Sequence, residues 1–322
     1  MNSEHRVGAD DVEPTDLAQP ELRRLIATLL ERCTFPEDGE TASCAVSGGA
    51  DSLALMVLAH ESGCRVTAHH VHHAIRPDSD NDVHVVTAAA ETLGIDVVVH
   101  RVVVEPGANL ESRARAARHA ALPRDALFGH TADDQAETIL GQLLRGAGPV
   151  GLAGMAAERH PILNLRRTET EELCRQLGLQ VVQDPSNADP RFRRNRIRHE
   201  VLPLLNDVAA RDVVPLLVRA GRHQRQVVEL LDAASGSLDA TDAVAVSSAE
   251  PAVGAMALRR WWRLVTGSPY APDERACLRM MKVARGEAIA CDVHDGWRLV
   301  RHQQVLELVR PSPSDEGRGH LR

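Results

Sequence analysis

Along the first two hundred residues the apolar positions follow two rhythms in turn. Short, nearly unbroken apolar runs at 41–46, 65–71, 96–104 and 126–129 read as buried strands. Between and around them, apolar residues recur every three or four places over 21–33, 51–62, 79–93, 110–122 and 133–144, the pattern of helices with one face on a sheet. Leu22, Leu25, Ile26, Leu29 and Leu30 form one such face. Strand–helix alternation at this interval predicts an α/β fold, a parallel sheet covered by helices. Ligands of such sheets sit beyond the carboxyl ends of the strands. A further helix is predicted at 168–177, where Glu171 stands three places after Thr168 in capping-box spacing. Another is predicted at 208–234, with Arg211, Arg222 and Arg225 near one face. Past Ser235 the rhythm loosens into a smaller, mostly helical C-terminal region. The expected division is a leader at 1–17, a first domain at 18–205, a linking helix at 206–235, a C-terminal domain at 236–310 and a tail at 311–322.

Composition changes this picture little until charge is located. With 322 residues, 43% hydrophobic and 25% charged, the chain has the make-up of an ordinary globular protein of about two domains. No apolar stretch approaches the ~18 residues of a membrane span, and the acidic N-terminus has no apolar core of a signal peptide. Six cysteines form no C-x-x-C pair and are expected to be reduced, with the cytoplasm as the expected location. A net charge of −8 argues against a nucleic-acid partner only until its distribution is read. Residues 1–40 hold ten acids and four arginines, whereas 185–230 hold nine arginines and five acids. The basic patch, rather than the total, is the informative quantity.

Five stretches carry chemistry. Ser47-Gly48-Gly49-Ala50-Asp51-Ser52 lies between a strand and a helix, an order that aims backbone N–H groups and a helix N-terminus at one point and so makes a phosphate cradle. It is not the Walker type, which needs a lysine; the only lysine in the chain is Lys282. Next comes His72-His73-Ala74-Ile75-Arg76-Pro77, directly after the second strand. In the 109–118 stretch, Glu111, Arg115 and Arg118 share one helical face, for which a salt-bridged surface is the plain reading. His130 begins a strand-to-helix passage in which Asp133 can complement the helix dipole. Asp134 and Glu137, three apart, can grip Mg2+ or an ammonium together. Last, Arg191, Arg193, Arg194, Arg196 and Arg198 crowd eight residues with only Asp189 and Glu200 nearby in sequence, so a nucleic-acid backbone is the natural counter-charge.

Taken in order, SGGADS, HHAIR, NLESRARAAR, GHTADDQAETILGQLLRG and DPSNADPRFRRNRIRHEVLPLL resemble the motifs of the bacterial tRNA-isoleucine lysidine synthetases, over residues 41 to about 205. The resemblance implies a domain of the adenine nucleotide alpha hydrolase, or PP-loop, type followed by a tRNA-binding C-terminal domain. It implies ATP and Mg2+ as cofactors, a CAU-anticodon tRNA-Ile and free L-lysine as partners, no membrane, and room for a homodimer. The implied reaction adenylates the carbon-2 oxygen of the wobble cytidine with release of pyrophosphate; the lysine ε-amine then attacks carbon-2 and expels AMP. On this resemblance Ser47, Gly48, Gly49, Ala50, Asp51 and Ser52 hold the pyrophosphate and Asp51 binds the metal. Asp134 and Glu137 take the lysine amine. His73 and Arg76 border the nucleotide, and Arg115 and His130 join the catalytic positions. The chain departs from the family pattern at His72, Thr131 and His119, where aspartate, histidine and tyrosine are more usual. Three rivals are weighed. A pyrimidine thiolase on the same domain needs paired or cluster-binding cysteines. A non-catalytic nucleotide- or RNA-binding module has no need of Asp51, Asp134 and Glu137 together. A small-acid amide synthetase leaves the arginine run unexplained. Trp261 and Trp262, flanked by Arg259, Arg260 and Arg263, read either as an RNA clamp or as a helix packed into a core.

Overall fold

A computed structural model of the chain describes residues 20–72, 79–102, 113, 117, 120–183, 189–268 and 270–310. Four parallel strands, β1 (Thr41–Ala45), β2 (Arg65–His72), β3 (Asp96–Arg101) and β4 (Leu127–Phe128), form one sheet in the order β3-β2-β1-β4. β1 is central, with Cys44 opposite Ala68 on one side and Leu127 on the other. The chain reverses direction across the sheet between β1 and β4, and the loops leaving these two strands form the site.

Helix α1 (Pro20–Leu30) buries Leu22, Ile26 and Leu29, residues spaced to share one face. Helix α2 (Ala50–Glu61) is buried on every side from Ser52 to Ala59, which explains its continuous apolar sequence. Helices α3 (Ser79–Glu91), α4 (Ala132–Leu143) and α5 (Arg167–Gln176) complete the described helical cover. The helix expected at 110–122 falls mostly outside the described residues.

Two sequence expectations are corrected here. Helix α5 begins one residue earlier than 168, and its cap acid is Glu169 rather than Glu171: the Arg166 N–H donates to Glu169 Oε2 at 2.8 Å. The helix expected over 208–234 is two helices, α6 (Leu202–Ala209) and α7 (Val214–Ser235). Ala210 takes a left-handed φ of 51°, Asn206 Oδ1 accepts the Val213 N–H, and Asp212 Oδ1 accepts the Val214 N–H. Arg211 therefore lies on neither helix and shares no face with Arg222 and Arg225.

The chain divides into two compact units at Arg222/His223, within α7. In the second unit, helices α8 (Ala243–Ser248), α9 (Pro251–Thr266) and α10 (Glu274–Ala284) accompany an antiparallel sheet β5-β6-β7 (Ala290–Asp292, Arg298–His302, Val305–Val309). Trp262 answers the clamp-or-core question for its own side chain. It is 1% exposed, its Nε1–H donates to the Tyr270 carbonyl at 3.1 Å, and it packs edge-on to Trp297. Trp261 is half-buried against the same core. Among the described residues no helix is long and apolar enough to cross a membrane.

Candidate active site

The loop after β1 is shaped by its small residues. Gly48 has a φ of 90°, and a Cβ there would stand 2.7 Å from Val182 Cγ2, so glycine is required on both conformational and steric grounds. Its carbonyl accepts the Val182 N–H at 2.9 Å, tying the loop to the chain beyond α5. The Ser47 N–H donates to Ser52 Oγ at 3.1 Å, and the Ser52 hydroxyl donates to the Gly49 carbonyl at 2.8 Å. This pins the turn against the start of α2, where the Ser52 and Leu53 N–H groups both donate to the Gly49 carbonyl at 3.0 Å and the amides of Ala50 and Asp51 precede the first helical bond. From the neighbouring strand, Gly129 lies so close that a Cβ would sit 2.5 Å from the Asp51 carbonyl oxygen. That close approach brings the β4 end, His130 and the head of α4 up to the loop.

Asp51 opens α2. Its Oδ1 accepts the Thr170 hydroxyl, and Arg167 Nε stands 3.5 Å from its Oδ2. Burial pushes its pKa up to about 6, with the Asp134 charge adding to the rise and the Thr170 and Arg167 contacts opposing it. Among the described residues no three acidic, histidine or cysteine side chains gather as a metal cage. One carboxylate beside a phosphate cradle suits Mg2+, which takes one or two carboxylates and completes its shell with phosphate oxygens and water.

Along α4, Asp134 and Glu137 are 6% and 2% exposed. Asp134 Oδ2 accepts the Thr131 N–H at 2.9 Å and the Thr131 hydroxyl at 3.0 Å. Its Oδ1 accepts Arg167 Nη2 at 2.9 Å and Arg194 Nη2 at 2.8 Å. Glu137 accepts Arg194 Nε at 2.7 Å, Arg198 Nε at 2.6 Å and Arg167 Nη1 at 3.3 Å. Burial alone would raise the Asp134 pKa, but Arg167, Arg194 and the Thr131 N–H outweigh it and hold the carboxyl below its ordinary range. Asp133 faces away from this pair and grips the Arg166 fork at 2.9 and 3.0 Å and the Arg167 N–H at 2.8 Å. Together these make a buried pair of carboxylates, each bonded to arginine side chains, at the carboxyl end of the sheet.

Arg194 and Arg198 reach the pair together because they stand four residues apart on the helical stretch from Arg193 to Val201 and so share one face. Their inward direction corrects the sequence expectation that only Asp189 and Glu200 neutralise the arginine run. The other members do stay at the surface: Arg191 pairs with Asp189 at 2.6 Å, Arg196 with Glu200 at 2.8 Å, and Arg193 is exposed. His73, Arg76 and Arg115 lie outside the described residues. His130 is described and stands with Phe128 and His160, its ring centroid 4.8 Å from that of His160. The His160 Nδ1–H donates to the Ala156 carbonyl at 2.6 Å, and burial lowers its pKa.

Sequence reasoning passed over Arg166, Arg167, Thr170 and His160. A signal was present for the first two. Two arginines at a helix N-terminus oppose the macrodipole, which implies acids elsewhere to receive them.

The PP-loop domain model matches residues 19–205. The chain is 40% identical to a tRNA(Ile)-lysidine synthase of Nocardia farcinica over 258 residues, covering 75% of this chain and 80% of that protein. It is 36% identical to one from Mycobacterium bovis over 294 residues, covering 83% and 90%. Among solved structures it is similar to a U34-tRNA thiolase from Methanococcus maripaludis, with a TM-score of 0.50 at 17% identity, covering 63% of this chain and 77% of that one. That likeness concerns the fold alone.

Proposed function

The chain belongs to the tRNA(Ile)-lysidine synthases, a family built on a PP-loop domain, and from that premise we propose how its own residues carry the activity. The enzyme joins lysine to carbon-2 of the wobble cytidine of a CAU-anticodon tRNA-Ile, with ATP split to AMP and pyrophosphate. In the first half the carbon-2 oxygen bonds to the α-phosphorus of ATP and the bond to the β-phosphate oxygen breaks. The amides of the 47–52 loop, the hydroxyls of Ser47 and Ser52 and the start of α2 receive the charge that develops on the leaving pyrophosphate. Asp51 would hold Mg2+, which supplies positive charge against the same phosphates when bound.

In the second half the lysine ε-nitrogen bonds to carbon-2, the carbon-2–oxygen bond breaks and AMP leaves. The nitrogen arrives as an ammonium and must shed a proton first. Asp134, held below the ordinary carboxylate range, keeps the charge that orients the ammonium; Glu137, its partner one helical turn on, takes the proton. This buried acidic pair beside an anion-binding loop is the observation that carries the reading. His130 and His160 border it on the β4 side. Arg191, Arg193 and Arg196 meet tRNA phosphates, the second unit supplies further tRNA contacts, and the enzyme works in the cytoplasm.

Thiolation is not favoured by the thiols themselves. Among the described residues the six free cysteines form no group that could hold a cluster. The test is incorporation of labelled lysine into a CAU-anticodon tRNA-Ile transcript, dependent on ATP and Mg2+ and absent with initiator tRNA-Met of the same anticodon. A preparation that binds ATP yet incorporates no lysine would overturn the assignment.

A further inference from the structure

A second group of side chains borders the acidic pair without belonging to it. β4 ends in Phe128, and His130 follows two residues on, in the passage to α4. Against these two rings stands His160, from the stretch beyond α4, with its ring centroid 6.0 Å from that of Phe128 and 4.8 Å from that of His130. Both imidazoles feel the charge of Asp134, which places them at the edge of the acidic pair.

The stretch carrying His160 is anchored along its length. Gln135, buried on α4 between Asp134 and Glu137, clamps Met155 from both sides: its Oε1 accepts the Met155 N–H at 2.8 Å, and its Nε2 donates to the Met155 carbonyl at 3.1 Å. Gly154, at a φ of 67°, passes so near that a Cβ there would stand 2.5 Å from Gln135 Oε1. Arg159 Nε donates to the Ala126 carbonyl at 3.1 Å, and its guanidinium lies 5.0 Å over the Phe128 ring. Further on, Ile162 and Leu165 are fully buried, and the Leu165 carbonyl accepts the Ala132 N–H at 2.8 Å. His160 is thus presented by a fixed wall, the condition for precise recognition.

The bonding of the ring decides what it offers. A carbonyl only accepts, so the 2.6 Å bond from Nδ1 to Ala156 puts a proton on Nδ1. In the uncharged ring Nε2 is then an acceptor, and it has no hydrogen-bond partner among the described residues. Burial lowers the pKa of the ring, with Arg159 adding to the fall and the Ala156 carbonyl, Asp134 and Glu158 opposing it. An acceptor at this place meets a difference between the pyrimidines. At carbon-4 cytosine carries an amine, a donor, where uracil carries an oxygen, an acceptor. Carbon-2 and carbon-4 flank the same ring nitrogen, so a base with carbon-2 at the acidic pair holds its carbon-4 group close by.

Resting on the reading of Asp134 and Glu137 as the place where the amine meets carbon-2, we propose that His160 selects the base, its Nε2 accepting a hydrogen bond from the exocyclic amine of the wobble cytidine. Uridine sets its carbon-4 oxygen against the same lone pair, acceptor against acceptor, and is refused.

The test uses the full-length enzyme and two tRNA-Ile transcripts. One has cytidine at the wobble position; the other has 2-pyrimidinone riboside, which is cytidine without its exocyclic amine. Pyrophosphate release and lysine incorporation are measured as kcat/KM for the wild type and for His160→Phe, which keeps an aromatic ring against Phe128 and His130 but has no acceptor. The wild type should favour the cytidine transcript, and in His160→Phe that preference should shrink about ten-fold or more. Comparing preferences cancels the intrinsic reactivity of the analogue, because both enzymes face the same two bases. A preference equal to that of the wild type, whatever the loss in overall rate, makes His160 a packing residue and overturns the proposal. A wild type indifferent to the amine overturns it too. If His160→Phe does not fold, His160→Ala is read in the same way. Wild-type incorporation into the cytidine transcript is the separate check: its absence removes the functional assignment, whereas its presence with an unaltered preference removes the role of His160 alone.

Discussion

At the 47–52 loop, the proposed phosphate site, the polar groups on offer are backbone amides and two serine hydroxyls, with no cationic side chain on the loop itself. Around Asp134 and Glu137 the roles are reversed: side chains do all the work, and carboxylates and guanidiniums compensate one another in a buried cluster. Backbone dipoles are fixed by the fold and need no counter-charge, so the loop is ready for its ligand as it stands. Buried side-chain charges need partners, and here three arginines supply them. The first region is built from the backbone of one contiguous turn, the second from side chains that separate segments deliver.

Breaking the cluster has the largest expected effect. Glu137→Gln should lower lysine transfer by about 10³-fold, the range seen when a general base is lost, with ATP affinity changed little. A comparable loss in ATP binding would show that the two regions are one unit. Breaking the loop comes next. Gly48→Ala must accommodate a left-handed φ of 90° and a Cβ placed 2.7 Å from Val182 Cγ2. It should cost about 1–3 kcal/mol of local strain, seen as weaker ATP binding and a lower melting temperature, with lysine affinity preserved. Wild-type melting and ATP binding in Gly48→Ala would mean the loop is softer than its geometry implies.

Acid sensitivity should separate the two regions further. Burial works against the Asp133 charge, but the Arg166 fork and the Arg167 N–H more than offset it and depress the pKa from 3.8. A depressed folded-state pKa gives stability that is present above the unfolded value and is lost as pH falls through the folded one. Melting temperature should therefore drop below about pH 4, and Asp133→Asn should flatten that limb while costing about 1–3 kcal/mol at neutral pH, the worth of charge-assisted hydrogen bonds. An unchanged acid limb would place the acid-labile step elsewhere. The smallest effect belongs to the outward arginines. Arg193→Gln should reduce the slope of log affinity for tRNA against log salt by about one unit, without altering lysine transfer at saturating tRNA. A slope equal to wild type would return Arg193 to the solvated surface.

The contrast between the regions also explains what could be read from the chain. The loop is contiguous: strand, Ser47–Ser52 and helix are adjacent in sequence, and their chemistry follows from local geometry. The acidic pair was legible for the same reason, because Asp134 and Glu137 lie one turn apart on a helix that starts at a strand end. The partners of the pair were not legible. Arg167, Arg194 and Arg198 arrive from two later segments, and only tertiary packing decides that Arg194 and Arg198 turn inward while Arg191, Arg193 and Arg196 turn out. Charge counting treated five arginines as one patch, whereas Arg194 and Arg198 pair with the buried acids and Arg191 and Arg196 pair at the surface. In the second unit the antiparallel sheet escaped notice because its strands are short and its tight turn uses Gln303 at a φ of 57°, without the glycine or asparagine that marks such turns.

On the proposed function, the acidic pair serves the lysine half of the reaction and the loop serves the adenylation half. Rapid-quench analysis of Asp134→Asn with labelled ATP, labelled lysine and tRNA-Ile separates the halves directly. The variant should release pyrophosphate and build up adenylated tRNA at near wild-type rate, with lysidine formation reduced by about 10²-fold or more. Loss of adenylation and lysine transfer in equal measure, or lysidine formation at the wild-type rate, would contradict that division.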